Sequence, residues 1–357
     1  MHVHSTCSVD SASTIGDYTH RAAALGMAEV GFCDHVDFDP RDMGYGYFDP
    51  RCYKQEIAAA QASVPGVRLR QGIELTYQAS LEAQLCDWLQ QEDWDYVILS
   101  VHLVDYADGW AMISEPDSID AYFTSHSPHQ AYIPYFEELL RAVHSGLGNV
   151  LGHLDLVKRF GSAHYGTFDP HAFEDEIRAV LEAAVRVGVG LEINTSGLRE
   201  APGETYPGLT VLRWYRDLGG EILTVGSDAH HVDGLGAGIV EALDLARGAG
   251  FRYKALPVGS VRAADKAEAP PPSAIGTAAS VALTTTPASG SLRAFASPII
   301  GPPSGCPDVR LPASRLQAAP SGLPRPSRPF LVAAAASCHD PFGSAPLQGL
   351  PSSHCPG

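Results

Sequence analysis

The chain of 357 residues has no uninterrupted apolar run of membrane-spanning length and no excess of basic residues. A spanning helix needs about 20 mainly apolar residues in succession, so we expect no membrane anchor. The opening Met-His-Val-His lacks the charged and apolar regions of a secretory signal, which favours a cytoplasmic protein. The 24 lysines and arginines face 41 aspartates and glutamates, and this net charge of −17 would repel a nucleic-acid duplex.

Cysteine is sparse and irregular, whereas histidine is plentiful. Seven cysteines without regular spacing do not indicate a disulfide framework and fit a reducing compartment better. They also lack the Cys-x5-Arg loop of thiol phosphatases. The 15 histidines are many for this length and give the first indication of function.

The composition changes near residue 260. Residues 1–260 hold 10 of the 27 prolines and all of the tyrosine and tryptophan, and residues 261–357 hold the other 17 prolines. A segment rich in proline, alanine and serine cannot bury enough apolar surface to offset its ordering entropy. We therefore predict one α/β domain over 1–260 and a disordered tail over 261–357.

Short apolar runs alternate with helical patterns through the predicted domain. The residues on both faces of each run are apolar or nearly so, as in a buried parallel strand. Asp49-Pro50 and Asp169-Pro170 supply the acidic N-cap and following proline that begin a helix. Seven strand–helix pairs predict a (β/α)7 barrel of the TIM-like type. The predicted strands are 2–4, 30–33, 68–75, 96–101, 150–153, 189–194 and 222–226. The predicted helices are 14–25, 50–62, 81–91, 130–144, 170–187, 209–218 and 235–247.

Histidines and carboxylates follow the ends of these strands. The carboxyl ends of barrel strands form one ring, where active sites are built. Imidazole and carboxylate groups that converge there suit Zn²⁺, Mn²⁺ or Fe²⁺. Nine such groups exceed one tetrahedral site and predict two or three divalent ions. They are His2, His4, Asp10, His35, Glu74, His102, His153, Asp228 and His230.

The motifs that contain these residues resemble those of the PHP (polymerase and histidinol phosphatase) superfamily. The opening His-Val-His, then Cys-Asp-His, Gly-Ile-Glu, Ser-Val-His, Gly-His-Leu-Asp and Ser-Asp-Ala-His occur in the family's order. The resemblance covers residues 1 to about 258 and is strongest to the monofunctional histidinol-phosphate phosphatases. It implies a distorted (β/α)7 barrel with a trinuclear metal centre.

Carried over by position, the resemblance implies how the ligands are shared among the ions. Glu74 would bridge the first and second metals. Asp10 occupies a position where many relatives have histidine. His2 follows Met1 directly, which leaves a short first strand. The implied sets are His2, His4, Glu74 and Asp228 for the first metal, Glu74, His102 and His153 for the second, and Asp10, His35 and His230 for the third.

Clustered divalent metals favour hydrolysis of a phosphate monoester by a metal-bridging hydroxide, because they acidify bound water and neutralise phosphate oxygens. Glu74 and Asp228 are the predicted catalytic groups. Arg159 and Arg199 follow two strand ends, and guanidinium binds phosphate bidentately. The long segment 103–129 predicts a lid or binding loop for the rest of the substrate.

The resemblance implies L-histidinol phosphate as the small-molecule substrate, in histidine biosynthesis. Three hypotheses compete with it. A PHP-type phosphodiesterase or phosphatase could act on nucleotides. An amidohydrolase also opens with His-x-His, although it usually carries a metal-bridging lysine on a middle strand. An inactive metal-binding relic would hold metal without turnover.

Overall fold

A computed structural model describes residues 1–106 and 109–251, together with the backbone of Leu283 and Thr284. Six parallel strands lie side by side in the order β1-β2-β3-β6-β7-β8, and β9 pairs antiparallel with β8. A short antiparallel hairpin, β4-β5, stands apart from this sheet. The strands are β1 (Glu29–Val36), β2 (Arg68–Thr76), β3 (Tyr96–Ser100), β4 (Leu103–Tyr106), β5 (Gly109–Met112), β6 (Val150–Leu151), β7 (Gly190–Asn194), β8 (Ile222–Gly226) and β9 (Leu283–Thr284).

The N-terminal segment supplies the seventh parallel element, between β8 and β1. Val3 forms a parallel bridge with Ala229, and the His4 amide donates to Ala229 O at 3.0 Å. On the other side, the Cys33 amide donates to Val3 O at 3.0 Å. The predicted strand 2–4 is thus a single bridge residue, yet it occupies the place of a barrel strand. The predicted α/β barrel is confirmed.

Helices follow most of the strands and pack around the sheet. Asp49 begins α2 by accepting hydrogen bonds from the amides of Arg51 and Cys52, as its Asp-Pro pair predicts. Gly188 ends α7 with a φ of 79°, a left-handed conformation that glycine adopts without strain. The helices are α1 (Ile15–Ala24), α2 (Pro50–Ser63), α3 (Glu82–Leu89), α4 (Pro116–Ser125), α5 (Pro128–Ser145), α6 (Lys158–Tyr165), α7 (Glu174–Val187), α8 (Leu209–Asp217) and α9 (Ile239–Gly248).

Three elements of the structure are missing from the sequence-based prediction. The segment predicted as a loop, 103–129, contains the hairpin β4-β5 and helix α4. Helix α6 lies between β6 and α7, where no helix is predicted. In the described part of the chain no helix is long and apolar enough to cross a membrane.

The predicted domain boundary near residue 260 lies outside the described residues. So does the predicted tail 261–357, apart from Leu283 and Thr284. Both therefore stay predictions. Cys7 and Cys33 carry free thiols.

Candidate metal centre

All nine predicted ligand residues meet at the carboxyl edge of the sheet. The strand register sets His35 of β1 directly beside Glu74 of β2. His102, His153 and Asp228 each stand two residues past the end of their strand. The side-chain exposure rises from 0% for His2 to 39% for Asp10. The cluster therefore extends from the barrel interior to its open rim.

Glu74 lies at the centre of this cluster, with five imidazoles around its carboxylate. Oε1 also accepts a hydrogen bond from Ser100 Oγ at 2.6 Å. Burial alone would raise the pKa of Glu74, but the charges of the surrounding histidines outweigh burial and hold that pKa well below its usual range. Facing Oε2 are His2 Nε2 at 3.3 Å, His4 Nε2 at 3.5 Å and His35 Nδ1 at 3.0 Å. Facing Oε1 are His102 Nε2 at 3.5 Å and His153 Nε2 at 2.7 Å.

Asp228 faces the same cluster from the end of β8. Its Oδ1 lies 3.2 Å from His4 Nε2 and 3.6 Å from His230 Nδ1. Its Oδ2 accepts hydrogen bonds from Asn194 Nδ2 at 3.1 Å and Ser196 Oγ at 3.3 Å. The backbone of Asp228 has a φ of 50°, the left-handed region that aspartate enters more readily than most residues. This conformation aims the carboxylate across the barrel mouth.

Asp10, His35 and His230 form the outer part of the cluster. Asp10 Oδ2 lies 3.1 Å from His230 Nε2 and 3.5 Å from His35 Nε2. The His4 ring lies between the other two imidazoles, with centroid distances of 4.2 Å to each. The loop after the N-terminal segment thus brings a carboxylate over two histidines from distant strands.

The donor set fits divalent metal ions. His2 Nε2, His4 Nε2 and His35 Nδ1 are buried, and no hydrogen-bond partner for them occurs among the described residues. A buried polar atom left unpaired is costly, and a metal ion satisfies an imidazole lone pair. Within each of four sets of side chains, the ligand atoms lie within 4.8 Å of one another: His2, His4 and Cys33; His2, Glu74 and His153; His35, Glu74 and His102; and His4, His35 and His230.

Glu192 is a buried carboxylate at this site that the sequence-based prediction lacks. His2 Nδ1 lies 2.7 Å from Glu192 Oε1. Since an ionised carboxylate only accepts, Nδ1 donates and Nε2 is left free to face Glu74. Glu192 Oε2 also accepts from the His153 amide at 3.1 Å. The signal was present in the sequence: a charged residue inside the apolar run Gly-Leu-Glu-Ile-Asn.

A second set of supporting residues orients His102. His102 Nδ1 lies 2.9 Å from Thr76 Oγ1, and Thr76 Oγ1 donates to Asp37 Oδ1 at 2.6 Å. Because the hydroxyl proton is committed to Asp37, His102 Nδ1 donates to Thr76 Oγ1, and this hydrogen bond turns Nε2 toward Glu74. Nothing in the spacing of these residues predicts that chain of hydrogen bonds.

The two arginines predicted to bind phosphate both lie near the rim. Arg199 donates to Ser227 O at 2.7 Å and to Thr195 O at 3.3 Å, next to Asp228. Arg159 lies in the first turn of α6, and its Nη2 lies 2.9 Å from Glu200 Oε1. Their phosphate role stays a prediction.

Two further polar side chains, Lys158 and Tyr122, are buried and have partners within the protein. Lys158 is buried, with Nζ 2.8 Å from Asp155 Oδ2 and 2.8 Å from Glu204 Oε1. Tyr122 is also buried and donates to Ala131 O.

The fold and the site together define the class of α/β barrels whose carboxyl edge carries histidines and carboxylates suited to divalent metal ions. The PHP domain family matches residues 1–196, which is more than half of the chain. The chain therefore belongs to the PHP domain family, as its motifs predict.

The similarity to curated relatives and to a solved structure extends beyond the residues that match the family. A probable histidinol-phosphatase of Thermotoga maritima is 26% identical over 256 residues, 72% of this chain and 94% of the relative. One from Deinococcus radiodurans is 28% identical over 263 residues, 70% and 93% respectively. A crystal structure of histidinol phosphate phosphatase from Lactococcus lactis, complexed with zinc, L-histidinol and phosphate, matches with a TM-score of 0.62 and 26% identity. It covers 70% of this chain and 93% of that one.

Proposed function

We propose that the chain hydrolyses the phosphate monoester L-histidinol phosphate to L-histidinol and phosphate, the reaction for which these relatives are named. The observation that carries the proposal is the cluster of nine histidine and carboxylate side chains, in which five imidazoles surround Glu74 and three unpartnered imidazole nitrogens face it. The residues fit two or three divalent ions, of which zinc, manganese and iron suit the donors best.

Divalent metals bound here would acidify water and neutralise the oxygens of a phosphate ester. Glu74 presents one oxygen to each half of the cluster and so is placed to join two ion positions. Asp228 would complete the half that contains His2 and His4. Burial alone would raise the pKa of Asp228, but His2, His4 and His230 hold that pKa well below its usual range. Asp228 therefore stays ionised and suits a ligand or proton acceptor better than the acid that protonates the leaving alkoxide.

Arg199 and Arg159 would bind the phosphoryl group from the rim. The carbonyls of Ser227 and Thr195 hold the Arg199 guanidinium beside the metal ligands. A guanidinium has five N–H donors, so two such bonds leave others for phosphate oxygens. The arginines would orient the ester for in-line attack, which is a major part of catalysis of phosphoryl transfer.

The test is steady-state phosphate release by the full chain loaded with Zn²⁺ or Mn²⁺. Histidinol phosphate is compared with a panel of nucleotides under the same conditions. A strong preference for histidinol phosphate that a chelator abolishes supports the proposal. Preference for a nucleotide would move the function to the phosphodiesterase hypothesis, and metal binding without any release would favour the inactive relic.

A further inference from the structure

The two rim arginines differ in the partners that hold them. Arg199 donates to backbone carbonyls, which are neutral. Arg159 instead faces a carboxylate, with its Nη2 2.9 Å from Glu200 Oε1. The side chains of Arg159 and Glu200 are 34% and 21% exposed, so solvent and ligands can reach the pair. A phosphoryl group that approaches Arg159 therefore meets a guanidinium that already has an anionic partner.

A buried tyrosine also holds Glu200 in this position. Its Oε2 accepts a hydrogen bond from Tyr206 Oη at 2.6 Å. Tyr206 is buried, and it exchanges two backbone hydrogen bonds with Asn194 at the end of β7, at 2.8 and 2.9 Å. One oxygen of Glu200 is thus anchored to the barrel while the other faces Arg159. The pair is a defined contact between two rim segments.

The third cation of this region cannot substitute for Arg159. Lys158 is buried and its ammonium is neutralised by Asp155 and Glu204. Of these two neighbouring cations, only Arg159 is therefore accessible to a phosphoryl group.

We propose that Glu200 is a specificity-determining residue that serves as the internal counter-ion of Arg159 and gives way to the phosphoryl group of the substrate. The inference rests on the proposed function, because it takes Arg159 as a phosphate-binding residue. A phosphate monoester carries close to two negative charges at neutral pH, whereas a diester or the Glu200 carboxylate carries one. The dianion competes for the guanidinium better than a monoanion does. Return of Glu200 to Arg159 also limits the affinity for the product phosphate.

The experiment uses Glu200→Gln in the metal-loaded full chain. Glutamine keeps an oxygen for Tyr206 and removes the charge that opposes phosphate. The inhibition constant of inorganic phosphate should fall about three- to fivefold, the range expected for a partly exposed ion pair. The preference for p-nitrophenyl phosphate over bis(p-nitrophenyl) phosphate should decrease. It is measured as the ratio of the two kcat/KM values. Weaker or unchanged phosphate inhibition would overturn the inference, because a residue that only positions Arg159 would weaken phosphate binding when altered.

Two further variants connect the effect to Arg159. In an Arg159→Ala background the Glu200→Gln change should have no effect on phosphate inhibition, and a persisting effect would contradict the inference. Glu200→Asp keeps the charge on a shorter side chain and should give an intermediate constant. If it instead weakened phosphate inhibition below that of the unaltered chain, Glu200 would be a positioning residue.

Controls separate this inference from the proposed function. Glu221→Gln removes an exposed carboxylate just before β8 and should leave the inhibition constant of phosphate unchanged. If Arg159→Ala itself left phosphate binding and ester turnover unaffected, the phosphate role of Arg159 in the proposed function would fail. If Arg159→Ala weakened both while Glu200→Gln did nothing, only the counter-ion inference would fail.

Discussion

Replacing Glu74 by glutamine tests the centre of the site with the smallest change of shape. The carboxylate serves both halves of the cluster, since Oε2 faces His35 at 3.0 Å and Oε1 faces His153 at 2.7 Å. Glutamine keeps one of these oxygens and puts an amide nitrogen, which does not bind metal, in place of the other. The substitution also removes the negative charge from both halves.

The expected magnitude follows from the number of ligand sets that contain this residue. Glu74 belongs to two of the four sets of closely spaced ligands. Loss of even an outer partner of a metal ligand weakens metal binding or activity by about 10–100-fold. Two positions weakened by about 30-fold each would lower turnover by about 10³-fold, or about 4 kcal/mol.

The assay measures phosphate release at saturating Mn²⁺ or Zn²⁺, together with the metal content of the purified chain. Glu221→Gln is the matched control, because it makes the same chemical change at an exposed position. We expect the Glu74→Gln chain to keep its thermal unfolding midpoint within a few degrees while it loses metal and turnover. Near wild-type turnover with full metal content would refute the assignment of Glu74 as a shared ligand.

Three other predictions follow from the same structure. Glu192→Gln should weaken metal binding about 10–100-fold, because it removes the acceptor that orients His2; competition with a chromophoric chelator measures this, and an unchanged affinity would contradict it. Gly226→Ala should destabilise the chain by about 1–3 kcal/mol in chemical denaturation, because its Cβ would overlap Glu192 and His2; an unaltered midpoint would show that the pair can move. Deletion of residues 262–357, which also removes β9, should leave turnover within about tenfold, or about 1.4 kcal/mol, and a larger loss would show that the tail contributes.

The sequence by itself determined the barrel and most of the site. Buried parallel strands read as continuous apolar runs, and a polar residue just past such a run must lie on the carboxyl edge of the sheet. For that reason the sequence predicts that His35, His102 and His153 lie together, and the structure brings all three to Glu74. The N-terminal His-Val-His segment was also placed correctly, although the structure makes it a bridge rather than a strand.

Only the tertiary structure decided which side chains orient or neutralise the predicted site residues. Glu192 and His2 are 190 positions apart, and their contact depends on the direction of two side chains inside the closed barrel. The neutralisation of Lys158 and the pairing of Arg159 with Glu200 depend likewise on how two rim segments pack. Strand ends are local features of a sequence, but the partner of a charged side chain is set by distances between distant segments, which no spacing along the chain encodes.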